Sequence, residues 1–124
     1  LDWGTVLQRL ASKQPLDKGG WSVFANIVPG IGMLNPAVHS YMRGIGAKGT
    51  FGWPESAKHE ALLDKYLEAS ALPQQQQLAR DMQLQAFQDV PYLPTGLMLQ
   101  PTAYRKSVSG IPDGFPQFYN VRKA

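Results

Sequence analysis

Prolines and glycines divide this chain into short segments, and their positions limit what it can fold into. The 124 residues include ten prolines and twelve glycines. Proline lacks a backbone N–H, so it interrupts helix interiors and central strands, while glycine-rich stretches favour loops. The longest periodic stretch, residues 55–90, is itself divided by Pro73. We therefore expect short elements joined by loops.

Helical periodicity appears in three places. Residues 2–13 carry apolar side chains at helical spacing, with Asp2 as a candidate N-cap. An amphipathic pattern begins near Glu55, and another covers residues 74–89 beyond Pro73. Because a proline turn joins the last two patterns, we predict an antiparallel helix hairpin.

A buried strand is predicted between the first helix and the hairpin. Residues 21–28, of sequence WSVFANIV, are rich in β-branched and aromatic residues and are bounded by glycine and proline. Residues 29–32 must form a loop because they hold two glycines and a proline. A short helix is then expected from Asn35 through about Arg43, since asparagine caps helices and Pro36 suits the first helical position.

The last third of the chain changes from helical to extended patterns. Residues 92–99 and 102–108 are predicted to be extended, and their prolines limit them to sheet edges or connections. Residues 110–116 are predicted as loop and residues 118–121 as a last short strand. The sequence thus predicts an α/β fold made of a helix, a strand, a helix hairpin and extended C-terminal segments.

Composition argues against several classes of protein. The chain has no cysteine, which excludes disulfide scaffolds, thiol catalysis and cysteine-based metal sites. Its net charge is +3, and its basic residues are scattered along the sequence. A nucleic-acid groove needs a denser basic stripe, so we expect no nucleic-acid partner. The most apolar stretch, residues 23–34, is too short to span a bilayer. No signal peptide opens the sequence, and Leu-Asp-Trp-Gly is typical of the interior of a longer protein.

No constellation of residues supports catalysis or metal binding. Residues 44–49 match G-x-G-x-x-G, but a predicted helix precedes them where a dinucleotide site needs a strand. His59 lacks a second histidine at the spacing of a zinc-binding helix, so we expect it on the solvated surface. The acidic residues of its helix form an ordinary charged face: Glu55, Glu60, Asp64 and Glu68. We therefore expect no enzymatic activity, no metal and no cofactor.

Aromatic and amide residues gather around the predicted strand and the loops near it. Ligands of open α/β sheets bind beyond the carboxyl ends of strands, and aromatic walls with a few polar groups suit a small-molecule cleft. The residues expected to line such a cleft are Asn26, Val28, Gly32, Met33, Asn35 and Trp53. Trp21 and Phe24 are better explained as core residues. For Trp53, ligand binding and packing are equally good interpretations.

The order of these features resembles the C-terminal stretch of the family 5 extracytoplasmic solute-binding proteins, which serve ABC transporters for dipeptides, oligopeptides or nickel. Residues 21–24 match the strand of the family pattern, and Asn35-Pro36 stands at its acidic-proline position. Residues 91–96 match its proline segment and residues 103–110 its A-x-R-x-x-V-x-G element. Residues 118–121 match its last strand. The resemblance covers nearly the whole chain.

The resemblance implies a C-terminal fragment of a periplasmic-binding-protein type II lobe. Residues 1–95 would form part of the second lobe of a two-lobed protein, and residues 96–124 would cross back to the first. It also implies a periplasmic location, reached through a signal peptide in the parent protein. A monomeric full-length protein would capture a small or peptide-like solute by hinge closure and deliver it to an ABC permease. The alternative is a non-catalytic protein-interaction domain with an exposed apolar patch on the hairpin.

One departure from the family pattern concerns the ligand. Peptide-binding members place an aspartate between the strand and the proline, where it pairs with the α-ammonium group of the peptide. Residues 21–36 contain neither aspartate nor glutamate. A buried ammonium group without a carboxylate partner is costly. We therefore expect a ligand other than a free-amino-terminus peptide bound in the usual way.

Overall fold

The computed structural model describes residues 2–114 and 117–123. Residues 1, 115, 116 and 124 lie outside the described residues. The predicted lobe segments 1–95 and 96–124 include all four, and the predicted loop 110–116 includes residues 115 and 116. The α-helices of the described part are Trp3–Leu10 (α1), Ala57–Glu68 (α2) and Leu72–Asp89 (α3). Its two short strands are Val108–Ser109 (β1) and Arg122–Lys123 (β2). This mixture of helices and one strand pair is compatible with the predicted α/β fragment.

Helix α1 is capped as predicted but ends at Leu10, three residues early. The Asp2 carboxylate accepts a hydrogen bond from the backbone N–H of Thr5 at 3.0 Å and another from its hydroxyl at 2.6 Å. At the other end, the indole N–H of Trp21 donates to the carbonyl oxygen of Leu10 at 2.9 Å. Helix ends leave carbonyl groups without intrahelical partners. Trp21 satisfies one of them and ties the next segment to α1.

The predicted helix hairpin is confirmed. The Ser56 hydroxyl caps α2 by accepting a hydrogen bond from the backbone N–H of His59 at 3.2 Å. Residues 69–71 connect the two helices, and Pro73 lies in the first turn of α3, where its missing N–H is not needed. Helices α2 and α3 pack against each other. Their apolar core includes Leu63, which is 3% exposed, and Met82, which is 0% exposed.

The strand predicted for residues 21–28 is wrong. These residues form neither helix nor strand, and no strand in the described part of the chain pairs with them. A strand is stabilised by hydrogen bonds to a neighbouring strand, not by its side-chain pattern alone. Val23 and Ile27 are 86% and 70% exposed. The apolar pattern therefore lacks both the ladder and the covering layer that a buried strand requires.

The short helix predicted from Asn35 is also wrong. Asn35 does begin a turn, because its side-chain oxygen accepts a hydrogen bond from the backbone N–H of Ala37 at 2.9 Å. The chain then forms only a 3₁₀-helix at Ser40–Met42. Isolated short helices are marginal without an apolar face that packs. Val38, on this segment, is exposed.

The chain divides into two compact units, one ending at Leu93 and the other beginning at Pro94. In the second unit, β1 and β2 pair antiparallel, with Val108 opposite Lys123. The last strand therefore lies just beyond the predicted residues 118–121. The reason is Asn120, whose φ of 65° places it in the left-handed region typical of turns.

Candidate ligand-binding site

Three aromatic rings cluster beside the end of α1. The Trp21 and Phe24 rings meet edge to face, with centroids 4.8 Å apart, and the Trp21 and Trp53 centroids are 6.1 Å apart. The Lys13 ammonium group lies 4.7 Å from the Trp53 ring centroid, a cation–π contact. All three aromatic side chains are half-buried. Trp21 and Phe24 therefore pack against neighbours, as predicted, but they are not fully enclosed core residues.

Trp53 has an unusual backbone conformation. Its φ is 49° and that of Gly52 is 103°, so two consecutive residues are left-handed. The N–H of Trp53 closes this turn by donating to the carbonyl oxygen of Thr50 at 2.9 Å. A bulky residue in this region stores about 1–3 kcal/mol of strain. The turn directs the Trp53 ring onto Trp21 and Lys13.

Asn26 begins a polar network that reaches the end of the hairpin. Its side-chain N–H donates to the Tyr41 hydroxyl at 2.7 Å, and its side-chain oxygen accepts from the backbone N–H of Ile27 at 2.9 Å. The Tyr41 ring lies 6.0 Å from the Tyr92 ring, centroid to centroid. The Tyr92 hydroxyl is hydrogen-bonded to Nε2 of His39 at 2.9 Å. A predicted ligand residue is thus linked to a buried histidine.

The sequence analysis missed the other three members of this network: Tyr41, Tyr92 and His39. Asn26 and Tyr41 are 15 residues apart, and His39 and Tyr92 are 53 residues apart. Side-chain periodicity reports only on neighbours within one element. No pattern in the sequence could therefore have identified these partners.

The remaining predicted ligand residues follow Asn26 along one continuous segment. Gly32 and Met33 lie in a 3₁₀-helix at Gly30–Met33, where the Gly32 N–H donates to the Pro29 carbonyl oxygen at 3.1 Å. Val28 is half-buried and Asn35 is exposed. Trp53 is separate from these residues. Among the described residues, its ring lies against Trp21, and Trp21 lies against Phe24.

The predicted ligand residues from Asn26 to Asn35 lie in a part of the sequence that has no carboxylate side chain. Residues 18–54 include Lys18, Arg43 and Lys48 but no aspartate or glutamate. Arg43 is held by Glu60 of α2, with its Nη2 at 2.8 Å from Oε2. The charge of Arg43 is therefore largely balanced, and the segment lies in a neutral to slightly positive stretch.

Glu60 also anchors the glycine-rich loop to α2. Its Oε1 accepts a hydrogen bond from the backbone N–H of Gly44 at 2.7 Å, in addition to the bonds from Arg43. Burial opposes ionisation of Glu60, but these hydrogen bonds outweigh it and hold the pKa of Glu60 below its usual value. The prediction that Glu60 belongs to an ordinary charged face is therefore wrong.

The glycine motif of residues 44–49 has a packing role. A 3₁₀-helix, Ser40–Met42, comes before it instead of the strand that a dinucleotide site needs. Gly44 is buried, and a Cβ there would lie 2.6 Å from the backbone nitrogen of Ser56. Glycine is therefore required at this position because the loop passes close to the start of α2.

His59 is buried, so its predicted place on the solvated surface is wrong. Its side chain is 2% exposed, and neither ring nitrogen has a hydrogen-bond partner among the described residues. Burial lowers the pKa of His59, against the opposing effect of Glu60 and Asp89. His59 lies one turn before the buried Leu63, on the same helix face. That spacing was the signal in the sequence that could have placed it correctly.

Two cavities in the described part of the chain have none of the predicted ligand residues in their linings. One, of about 150 Å³, is lined by residues that include His59, Ser56 and Asp89. Another, of about 410 Å³, opens beside the connection between α2 and α3 and includes Glu68 and Gln74. The described residues contain no group of three or more histidine, aspartate or glutamate side chains placed to hold a metal ion. None of their helices combines the length and apolar character needed to span a membrane.

The sequence of the chain is similar to that of a known transport protein. No protein-family profile matches the chain. Over 124 residues it is 34% identical to a probable peptide ABC transporter periplasmic-binding protein of Sinorhizobium fredii. The similarity covers 99% of this chain and 23% of the relative, so the chain spans less than a quarter of the relative's length.

Proposed function

We propose that the chain is part of the substrate-binding component of a peptide-type ABC transporter. The observation that carries the proposal is the 34% identity across 99% of the chain. In the proposed protein, a small or peptide-like solute is captured by hinge closure and delivered to a membrane permease. The protein is extracytoplasmic, is exported by a signal peptide, acts as a monomer and catalyses no reaction.

We assign residues 1–95 to the second lobe and residues 96–124 to a segment that crosses back to the first. Two observations support this assignment. One compact unit ends at Leu93 and the next begins at Pro94. Large apolar side chains are exposed on both units, Ile27 and Leu34 on the first and Leu97 on the second. Exposed apolar groups in such numbers are expected where other parts of a protein cover them.

We assign the solute site to Asn26, Val28, Gly32, Met33, Asn35 and Trp53. The support is the open backbone of residues 21–28, whose polar groups are not paired in a sheet and can reach a ligand. Asparagine side chains provide neutral donors and acceptors. Gly32, in the Gly30–Met33 turn, lets a ligand approach the backbone closely.

The charge of this segment indicates the kind of solute. With no carboxylate between residues 18 and 54, the segment offers nothing to neutralise an ammonium group. A solute whose acceptor groups are bound through neutral donors fits it better. The proposed ligand is therefore peptide-like but does not depend on a free amino terminus.

Calorimetry on the full-length protein that carries this chain tests both parts of the proposal. The probes are alanyl-alanine and N-acetyl-alanyl-alanine, which differ in the charge of the amino terminus. We expect binding of the acetylated peptide that is at least as tight as binding of the free peptide. Tight binding of alanyl-alanine that acetylation abolishes would contradict the ligand assignment. If neither peptide binds, the proposal of a peptide-like solute is contradicted.

The alternative, a non-catalytic interaction domain, is not favoured. Leu84 and Phe87 of α3 are exposed, as that alternative predicts for the hairpin. The same exposure follows when other parts of a larger protein cover the helix, so it does not discriminate between the two. The similarity to a transport protein does discriminate, and it favours solute binding.

A further inference from the structure

The Tyr41 hydroxyl has a proton that no acceptor in the described part of the chain receives. The hydroxyl oxygen accepts the side-chain N–H of Asn26 at 2.7 Å. A phenol can donate one hydrogen bond while it accepts another. The Asn26 side chain uses one of its two N–H groups for this bond, and its oxygen accepts the backbone N–H of Ile27. The Tyr41 hydroxyl therefore keeps its own donor for a further partner.

The bond from Asn26 makes Tyr41 a better donor and fixes where it points. A hydroxyl that accepts a hydrogen bond is polarised, and its own donated bond is strengthened. The ring is also supported, because its centroid lies 6.0 Å from that of Tyr92 and Tyr92 is hydrogen-bonded to His39. His39 is buried, at 4% exposure. The hydroxyl is thus held at the end of an ordered chain of side chains.

The charges near Tyr41 favour an acceptor as its partner. Residues 18–54 supply no carboxylate that could take the hydroxyl proton. The nearest arginine in sequence, Arg43, is engaged by Glu60 at 2.8 Å and does not compete for an anionic group. A carbonyl or carboxylate oxygen of a solute would therefore meet a neutral, oriented donor.

We propose that Tyr41 binds the solute by donating a hydrogen bond from its hydroxyl to a carbonyl or carboxylate oxygen, and that Asn26 is its positioning residue. This inference rests on the proposed function and deepens it, because it defines one polar group that the solute must present. It also changes the role of Asn26, whose main effect on binding passes through Tyr41.

Tyr41→Phe in the full-length protein removes the hydroxyl and keeps the ring. With N-acetyl-alanyl-alanine as the probe in calorimetry, we expect binding weakened about two- to twelvefold, the range of one net hydrogen bond. The matched control is Tyr104→Phe, which alters an exposed tyrosine of the second unit and leaves the affinity unchanged. Asn26→Ala should weaken binding as well. The double variant should be no weaker than Tyr41→Phe, because the two residues act as one unit.

A second probe identifies the acceptor. N-acetyl-alanyl-alanine methylamide lacks the terminal carboxylate but keeps the carbonyl groups. The effect of Tyr41→Phe persists with this probe if the acceptor is a carbonyl oxygen, and it disappears if the acceptor is the carboxylate. Either result supports the inference.

The outcomes separate the inference from the proposed function. Unchanged affinity in Tyr41→Phe, with a wild-type protein that binds the probe, overturns the inference and leaves the proposed function intact. Absence of binding by the wild-type protein overturns both. A measurement on the wild-type protein covers the case in which the variant does not fold. The ring resonances of Tyr41 should shift on addition of the probe in NMR, and unmoved resonances overturn the inference.

Discussion

The α2–α3 hairpin and the irregular segment of residues 22–38 differ in where their backbone hydrogen bonds go. In the hairpin, each helix pairs its own N–H and carbonyl groups, and the two helices enclose Leu63 and Met82. In the irregular segment, isolated turns account for the backbone pairs, such as Gly32 to Pro29. Many of its apolar side chains are exposed. The hairpin is therefore stabilised by its own backbone bonds and core, whereas the irregular segment leaves many backbone groups without partners in helices or sheets.

The largest expected effect comes from the hairpin core. Met82→Ala removes a side chain with no exposed surface, and we expect a loss of about 2–5 kcal/mol in the free energy of unfolding. Leu84→Ala on the same helix is the control, because Leu84 is exposed and its loss should cost under about 0.5 kcal/mol. Urea denaturation followed by circular dichroism measures both. Equal stability of the two variants would show that the hairpin is not the stable region.

A smaller loss is expected where the glycine-rich loop is anchored to α2. Glu60→Ala leaves the buried N–H of Gly44 without its acceptor, which costs about 1–3 kcal/mol. The ion pair with Arg43 adds little, since the Arg43 side chain is partly exposed. Glu68→Ala, at an exposed position of the same helix, is the matched control in urea denaturation. A Glu60 variant as stable as the Glu68 variant would remove the loop from the stable region.

The two buried histidines should make stability depend on pH. Burial lowers the pKa of both His39 and His59 below the usual value of 6.5. Neighbouring charges modify this effect of burial. Glu60 and Asp89 raise the pKa of His59, and Arg43 lowers it. His59 in turn lowers the pKa of His39. As the pH falls, these histidines are protonated in the unfolded chain before they are protonated in the folded one. The free energy of unfolding is therefore highest above pH 6.5 and declines as the pH falls below that value.

Thermal unfolding between pH 7.5 and pH 5 checks this dependence. The melting temperature should fall over that range, and His59→Gln should make the fall shallower because glutamine does not titrate. Glu60 adds a separate loss at lower pH, below its usual pKa of 4.5, because its folded pKa is lowered. An identical pH profile in wild type and His59→Gln would contradict the assigned cause.

The smallest stability effect is expected in the irregular segment. Asn35→Ala removes the acceptor for the Ala37 N–H in an exposed turn, so we expect a change of about 1 kcal/mol or less. The same variant should weaken binding of N-acetyl-alanyl-alanine in calorimetry. Gln100→Ala, an exposed amide of the second unit, should change neither property. Unaltered affinity in Asn35→Ala would remove that residue from the proposed site.

What could be predicted from the sequence follows the same division. The hairpin was predictable because its helices are specified by side chains three or four positions apart, with Pro73 marking their junction. The strand at residues 21–28 was not, because a ladder depends on a partner that the described chain does not provide. The link from Asn26 through Tyr41 to Tyr92 was beyond prediction, since tertiary packing brings it together.

The histidines show a different limit. His59 was predicted as a solvated polar residue because of its residue type and its charged neighbours in sequence. Its helical position, one turn from Leu63, places it inside, and position determined the outcome. The similarity to a solute-binding protein could be anticipated because the resemblance rests on the order of proline, glycine and aromatic positions, which needs no tertiary information.

Hydrogen exchange of the full-length protein, with and without N-acetyl-alanyl-alanine, tests the central claim most directly. The claim is that residues 26–35 contact the solute while the hairpin serves as support. We predict slower exchange in peptides that cover residues 26–35 when the probe is bound, and unchanged exchange in α2 and α3. Protection confined to the hairpin, with residues 26–35 unaffected by the bound probe, would contradict it.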